Sequence, residues 1–240
     1  MRKEPNKKIF KSAEEGDLDN QCLIAEYYLD KNDEKSFHWL KLASQQNDRW
    51  AQYQMGLAYE YGIGCKKNIK NAIKFYELSA EQNYDSAQLN LGVIVSNLKG
   101  EKRDLKKAVK LFELSAKQNN SSACYNLAMY YDIGRYFEKD EIKSFKWYLK
   151  SAKLGNTESN RIVGYKLHEG IGVEKDFKKS IKFYKIAGEN NDVYAQYNLG
   201  LCYLDGEGTE KNIEKSKYWF KLATENGHKR AKKMLEKLTK

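Results

Sequence analysis

Ala51-Gln-Tyr-Gln-Met-Gly-Leu-Ala-Tyr59 returns 36 residues later as Ala87-Gln-Leu-Asn-Leu-Gly-Val-Ile-Val95, and again after the same interval as Ala123-Cys-Tyr-Asn-Leu-Ala-Met-Tyr-Tyr131. Ser159 to Leu167 and Ala195 to Tyr203 continue the series, so five copies follow without a slip. A second segment runs in the same frame. Ala72-Ile-Lys-Phe-Tyr-Glu-Leu-Ser-Ala80 is matched at residues 108–116, 144–152, 180–188 and 216–224, and upstream at 36–44. A fixed period of this length is the mark of a tandem array.

Both segments have helical periodicity. In the first, Ala51, Met55, Leu57 and Tyr59 recur at helical intervals. In the second, Ile69, Ala72, Ile73, Phe75 and Tyr76 form one apolar stripe, while Lys70, Lys74 and Glu77 lie on the other side. Lys106, Lys107 and Lys110, and later Lys178, Lys179, Lys182 and Lys185, repeat that polar back. The unit is therefore helix A, loop, helix B, loop. The expected fold is all-α: an α/α superhelical solenoid of about six tandem 36-residue helix-turn-helix repeats. Residues 1–7 read as a tail and 8–240 as a single solenoid. Its parts are a half repeat at 8–17, a short repeat at 18–47, full repeats at 48–83, 84–119, 120–155, 156–191 and 192–227, and a capping helix at 228–240.

Glycine inside a helix costs about 1 kcal/mol relative to alanine. Gly56, Gly92, Gly164 and Gly200 nonetheless recur in mid-helix A, with Ala25 and Ala128 at the equivalent places. The expected gain is close approach of helix B through its own small residues, such as Ser79, Ala80, Ser115 and Ala116. The aromatic pairs Phe75/Tyr76, Trp147/Tyr148, Phe183/Tyr184 and Trp219/Phe220 are expected to fill the space between repeats. Gly62-Ile-Gly64, Gly170-Ile-Gly172 and Gly206-Glu-Gly208 sit where helix A must stop, which suits backbone with positive φ. A phosphate-binding loop needs longer glycine spacing followed by Lys-Ser/Thr.

The totals agree with an array. The 240 residues are 41% hydrophobic and 32% charged, which would leave a single compact core thin. The sole proline, Pro5, leaves the remainder free to be helical. There is no apolar run long enough to span a membrane, and no signal-type stretch follows the basic start, so a cytoplasmic location is expected unless a leader has been removed. Cys22, Cys65, Cys124 and Cys202 show no metal-like or redox spacing and read as free thiols. The net charge of +10 comes chiefly from lysine, with only six arginines. Because the lysines fall on the back of helix B, a solvated face is a better reading than a nucleic-acid site, which favours arginine forks.

Ala195-Gln-Tyr-Asn-Leu-Gly-Leu-Cys-Tyr-Leu-Asp-Gly-Glu-Gly208, followed by the Lys-Ser…Trp-Phe…Ala segment of helix B, resembles the Sel1-like repeat family, relatives of the tetratricopeptide repeats. The likeness extends over roughly residues 8–238. Ser96-Asn-Leu-Lys-Gly-Glu-Lys-Arg103 and Gly134-Arg-Tyr-Phe137 depart from the glycine-x-glycine loop. The resemblance implies a right-handed superhelix with helix A on the concave side. It further implies a non-catalytic adaptor or scaffold that binds a partner protein or peptide, monomeric in isolation, with no cofactor.

By analogy with the related repeats, one stripe of helix A lines the groove. Mapped onto this chain it gives Trp50 and Tyr53, Leu89 and Asn90, Tyr125 and Asn126, Arg161 and Tyr165, and Tyr194, Tyr197 and Asn198. Tyrosine and tryptophan offer large contact area at small entropic cost, and asparagine can pair with a peptide unit through both of its groups. Inter-repeat packing is the competing reading for the tyrosines, and a structural hydrogen bond for the asparagines. Arg161 and Lys233, with Arg230 nearby, could receive an acidic peptide.

An enzyme is the rival reading of another class. Ser96-Asn-Leu-Lys99 has a Ser-x-x-Lys spacing but lacks the other penicillin-reactive motifs. A secreted, cysteine-rich branch of the family is described as binding or hydrolysing β-lactams, but there each repeat carries a cysteine pair, and here four cysteines are scattered. His38, His168 and His228 have no ligand at metal-like spacing. The family also includes bacterial effector and toxin-immunity proteins, and no residue chooses among these roles.

Overall fold

A computed structural model of the chain describes residues 4–100 and 103–239. Residues 1–3 of the expected tail, Glu101 and Lys102 of the irregular loop, and Lys240 lie outside the described residues. The described residues form fourteen α-helices. Those of type B are α1 (Lys7–Glu14), α3 (Asp33–Gln45), α5 (Ile69–Glu81), α7 (Leu105–Lys117), α9 (Glu141–Lys153), α11 (Phe177–Glu189) and α13 (Ile213–Glu225). Those of type A are α2 (Leu18–Tyr28), α4 (Arg49–Tyr61), α6 (Asp85–Asn97), α8 (Ser121–Asp132), α10 (Thr157–Glu169), α12 (Val193–Asp205) and α14 (Lys229–Leu238). Within α1–α7 and within α8–α14, each helix packs on its neighbours in sequence, helix A against helix B of its own repeat and against helix B of the preceding one. The all-α solenoid expected from the 36-residue period is the observed architecture.

The helix ends follow the same period. Asn32, Asn68, Asp104, Asp140, Asp176 and Asn212 stand one period apart, and each N-caps a helix B by accepting the backbone N–H three residues on, at 2.8–3.2 Å. Asp48, Asn120, Asn156 and Asp192 cap helices A in the same manner. Such a side chain satisfies an N–H that has no partner within the helix and is worth about 1 kcal/mol. At the same place Tyr84 makes no side-chain cap bond, and His228 caps through its ring. The turn after helix B needs one left-handed residue, which asparagine tolerates better than most. Asn47, Asn83, Asn119 and Asn191 supply it at φ between +59° and +65°, and Gly155 and Gly227 at the equivalent places.

The mid-helix glycines admit rings. A methyl group built on Gly56 would lie 2.5 Å from the Tyr76 ring, and on Gly92 or Gly164 2.7 Å from Phe112 or Tyr184. Phe220 abuts Gly200 in the same way. These partners come from helix B of the same repeat, so the second aromatic of each pair fills the repeat from within; Tyr148 and Tyr184 also pack with the next repeat, beside Val163 and Leu199. The first aromatic reaches outward. Trp219 packs with Tyr184, Ala187 and Leu199, and Phe75 stacks on Tyr59, which meets Phe37 of the preceding repeat. The small residues of helix B also lie close to helix A. Ser79, Ser115 and Ser151 donate to the carbonyls of Arg49, Asp85 and Ser121 at its start, at 2.7–2.9 Å, and Ser180 and Ser216 donate to the carbonyls of Gly164 and Gly200 at 2.7 and 2.8 Å.

A buried amide adds a second tie. Gln52, Gln88 and Gln196 are no more than 2% exposed. Their Oε1 atoms accept from Gln82, Gln118 and Asn226 at the end of the repeat's own helix B, at 2.8–3.1 Å. Gln88 and Gln196 also donate to Ala80 and Gly188 carbonyls of the preceding helix B. A buried amide left unpaired would cost several times what a paired one contributes, so this bond fixes register as well as contact.

The contacts divide the chain into two compact units, Met1–Gln118 and Asn119–Lys240, at the boundary between two repeats.

Candidate functional site

In the first unit the proposed groove residues are largely engaged in packing. Trp50 is half-buried against the core that contains Trp39, Leu40 and Met55. Tyr53 is half-buried, with its ring 5.9 Å from Tyr76 and 5.1 Å from Tyr84. Asn90 donates to the Tyr76 hydroxyl at 3.3 Å, which in turn donates to Glu60 at 2.7 Å. Leu89 is half-buried. A structural hydrogen bond thus accounts for Asn90, and ring packing for Tyr53.

The second unit distributes its residues differently. Tyr125 meets Tyr148 edge-on at 5.6 Å, and burial, followed by the neighbouring Glu158, pushes its phenol up to about 12. Asn126 turns back to the Ser122 carbonyl of its own helix at 2.8 Å. The remaining five residues, Arg161, Tyr165, Tyr194, Tyr197 and Asn198, converge on one groove of about 810 Å³ between α10, α12 and the start of α14. Tyr165 is 48% exposed and Tyr194 58%, large aromatic surfaces with no core to cover them. Tyr197 is held from behind, tilted on Phe220 at 5.7 Å and stacked on His228 at 4.4 Å. Asn198, unlike Asn90 and Asn126, makes no side-chain hydrogen bond among the described residues.

The charge around this groove is uneven. Arg161 donates from Nε to Asp192 at 3.1 Å and from Nη2 to Glu158 at 3.2 Å, with its guanidinium 5.6 Å from the centre of the Tyr194 ring. Asp192 also caps α12, so Arg161 ties one repeat to the cap of the next as well as lining the groove. Lys229 and Arg230 line it with no ion-pair partner among the described residues, and its lining includes no carboxylate. Lys233, expected beside them, is not part of the wall. His228 was missed as a wall residue, although its place in the 36-residue frame, after Asp192, marks it as a cap. Its Nδ1 accepts from Ala231 N at 3.1 Å, and burial, then Arg230, hold its pKa below the usual histidine value.

A smaller cavity of about 170 Å³ adjoins the first and shares Tyr165 and Asn198 with it. Here the wall is acidic. Glu169 and Glu207 face the two ring nitrogens of His168 at 2.8 and 2.7 Å, and Asp205 has no ion-pair partner among the described residues. Cys202 lies at its base, where burial, then Glu207 and Asp205, push the thiol up to about 12. Among the described residues no group of three or more histidine, cysteine or acidic side chains is arranged to hold a metal ion. No described helix is long and apolar enough to cross a membrane. The lysines at the back of α5, α7 and α11 are exposed.

A model of the Sel1 repeat matches residues 25–48, 51–84, 85–120, 121–156, 157–192 and 193–228. Among solved structures, the chain is similar to a protective antigen of uropathogenic Escherichia coli strains that displays the same repeat fold. The identity is 28% and the TM-score 0.90 over 97% of this chain, which spans about half of that protein (51%). A Sel1 repeat protein from Oxalobacter formigenes is also 28% identical, with a TM-score of 0.79 over 92% of this chain and 88% of the other. An immunity protein from Pseudomonas aeruginosa shares the fold at 15% identity, with a TM-score of 0.53 over 87% and 81% of the two chains. No curated protein matches the sequence at a significant level.

Proposed function

The chain belongs to the Sel1 repeat family, and from that premise we propose that it is a non-catalytic adaptor which binds a segment of another protein in the groove between α10, α12 and α14. The observation that carries this reading is the pair of exposed rings, Tyr165 and Tyr194, on a wall otherwise braced by packing. Rigid aromatic surface beside paired charges is the composition of a binding hot spot. The neutral, buried Cys202 thiol and the cap role of His228 speak for structure rather than nucleophilic or acid–base chemistry at this wall.

Capture from native lysate with the wild-type chain and with a Tyr165→Ala/Tyr194→Ala double variant tests this. Both rings are exposed, so the variant is expected to keep its helical circular dichroism. A protein held by the wild type and reduced at least tenfold on the variant supports the groove. Equal capture by the two removes it.

A further inference from the structure

The two adjoining cavities carry opposite charge, and the chain places that charge against the preference of its helices. A helix N-terminus favours acidic side chains and a C-terminus basic ones, by about 0.3–1 kcal/mol each. Yet α14 opens on Lys229 and Arg230 with no acidic residue in its first turn, and α12 closes on Asp205 with no basic residue in its last; Glu169 ends α10 beside Asp205, after Lys166 and His168. At each end of the groove the helix dipole therefore adds to the side-chain charge. The end built from the first turns of α12 and α14 is positive, and the end built from the last turns of α10 and α12 is negative. Among the described residues, Lys229, Arg230 and Asp205 have no ion-pair partner. The exposed ring of Tyr194 stands at the positive end, and between the ends lie the exposed ring of Tyr165 and Asn198, whose amide is unengaged; both belong to the two cavities.

We propose that this groove takes an extended segment of a partner protein that is charged at both ends, with an acidic side chain over Lys229 and Arg230 and a basic side chain over Asp205 and Glu169. The proposal rests on the groove-binding reading above and adds the chemistry of the occupant. Charge complementarity selects the two end groups and rejects a segment of uniform sign. Asn198 offers a donor and an acceptor to one peptide unit of the segment as it passes. The spacing follows from the helices that carry the charges. Arg161 to Glu169 on α10 is about 12 Å at 1.5 Å per residue, and Tyr194 to Asp205 on α12 about 16 Å. An extended chain covers those lengths in about four to five residues.

The test is a selection of displayed random twelve-residue peptides on the wild-type chain, on Lys229→Glu/Arg230→Glu and on Asp205→Lys. Each variant brings its helix end into agreement with the dipole, so both are expected to unfold at or above the wild-type temperature, and a changed selection cannot be blamed on lost structure. The wild type is expected to enrich peptides with an acidic and a basic residue about four to five apart. The first variant is expected to lose the acidic preference at least tenfold, and the second the basic one. Enriched peptides without a charge pattern, or the same pattern on all three proteins, would overturn the proposal while leaving groove binding standing. No enrichment on the wild type would overturn both.

Discussion

His228 occupies a position that aspartate or asparagine holds in four other repeats, and it caps α14 with an imidazole nitrogen instead of a carboxylate or amide oxygen. That bond requires an unprotonated Nδ1. The surroundings agree: burial and Arg230 both hold its pKa below the unfolded value near 6.5. Tyr194, Tyr197 and Arg230 are the groups that face it, and none is an anion that would favour the proton. A histidine with a depressed native pKa contributes stability that is fully present above the unfolded pKa and is lost as pH falls through the native one. Thermal unfolding should therefore drop between pH 7 and pH 5. His228→Asp, which caps without a titrating imidazole, should reduce that drop by a few degrees, since a cap is worth about 1 kcal/mol and a chain of this size shifts about 2–4 °C per kcal/mol. An unchanged pH dependence in the variant would show that the cap is not what titrates. The frame alone marks residue 228 as a cap. That its ring would also stack on Tyr197 is a matter of how α12 and α14 meet, which no local pattern encodes.

The loops that end helix A show how an element tolerates departures from its own rule. Gly64, Gly172 and Gly208 hold positive φ and press against the backbone at the start of the preceding helix B, where Asp33, Glu141 and Phe177 leave no room for a Cβ. Conformation and contact both demand glycine there. In the repeat of α8 and α9 the same place holds Tyr136, at φ +76°. A bulky residue in the left-handed region costs about 1–2 kcal/mol, and the ring recovers part of this edge-on against Phe137 at 5.0 Å, with Phe137 stacked on Tyr131 at 4.2 Å. Tyr136→Gly is expected to raise the unfolding free energy by roughly 1 kcal/mol in a denaturant titration. A fall would mean that the ring contact outweighs the backbone strain. The glycines of this loop were legible in the sequence as helix stops. Their second role, close passage over a helix from the previous repeat, was not, because it joins residues about 30 positions apart. The same distance hid the serine and glutamine ties. The contact of the inner aromatics with the mid-helix glycines of their own repeat was hidden too, because a stripe on one helix says that a ring is buried, not which neighbours bury it.

Across the whole molecule, an array stabilised by neighbour contacts should answer damage locally. Gly56→Val would force a side chain into the fully buried Tyr76 ring and is expected to cost about 1–3 kcal/mol. Amide exchange should quicken in α4 and α5 while α11 to α13, in the other compact unit, keep their protection. Uniform loss of protection in both would show one cooperative block instead. The amino-acid sequence by itself determined the helix content, the 36-residue period, the loop glycines and the family, because each depends on residues close together or on a rule repeated in every unit. It also drew up the stripe of eleven groove residues as if every repeat used them alike. Only the tertiary structure decided that six of these, from Trp50 to Asn126, are half-buried and largely given to packing or to bonds within the fold, while five gather at one groove beside Lys229 and Arg230. The reason is physical: equal positions in a repeat share a backbone but not neighbours, and whether a tyrosine or an asparagine is free for a partner depends on which side chains the adjoining repeats bring against it.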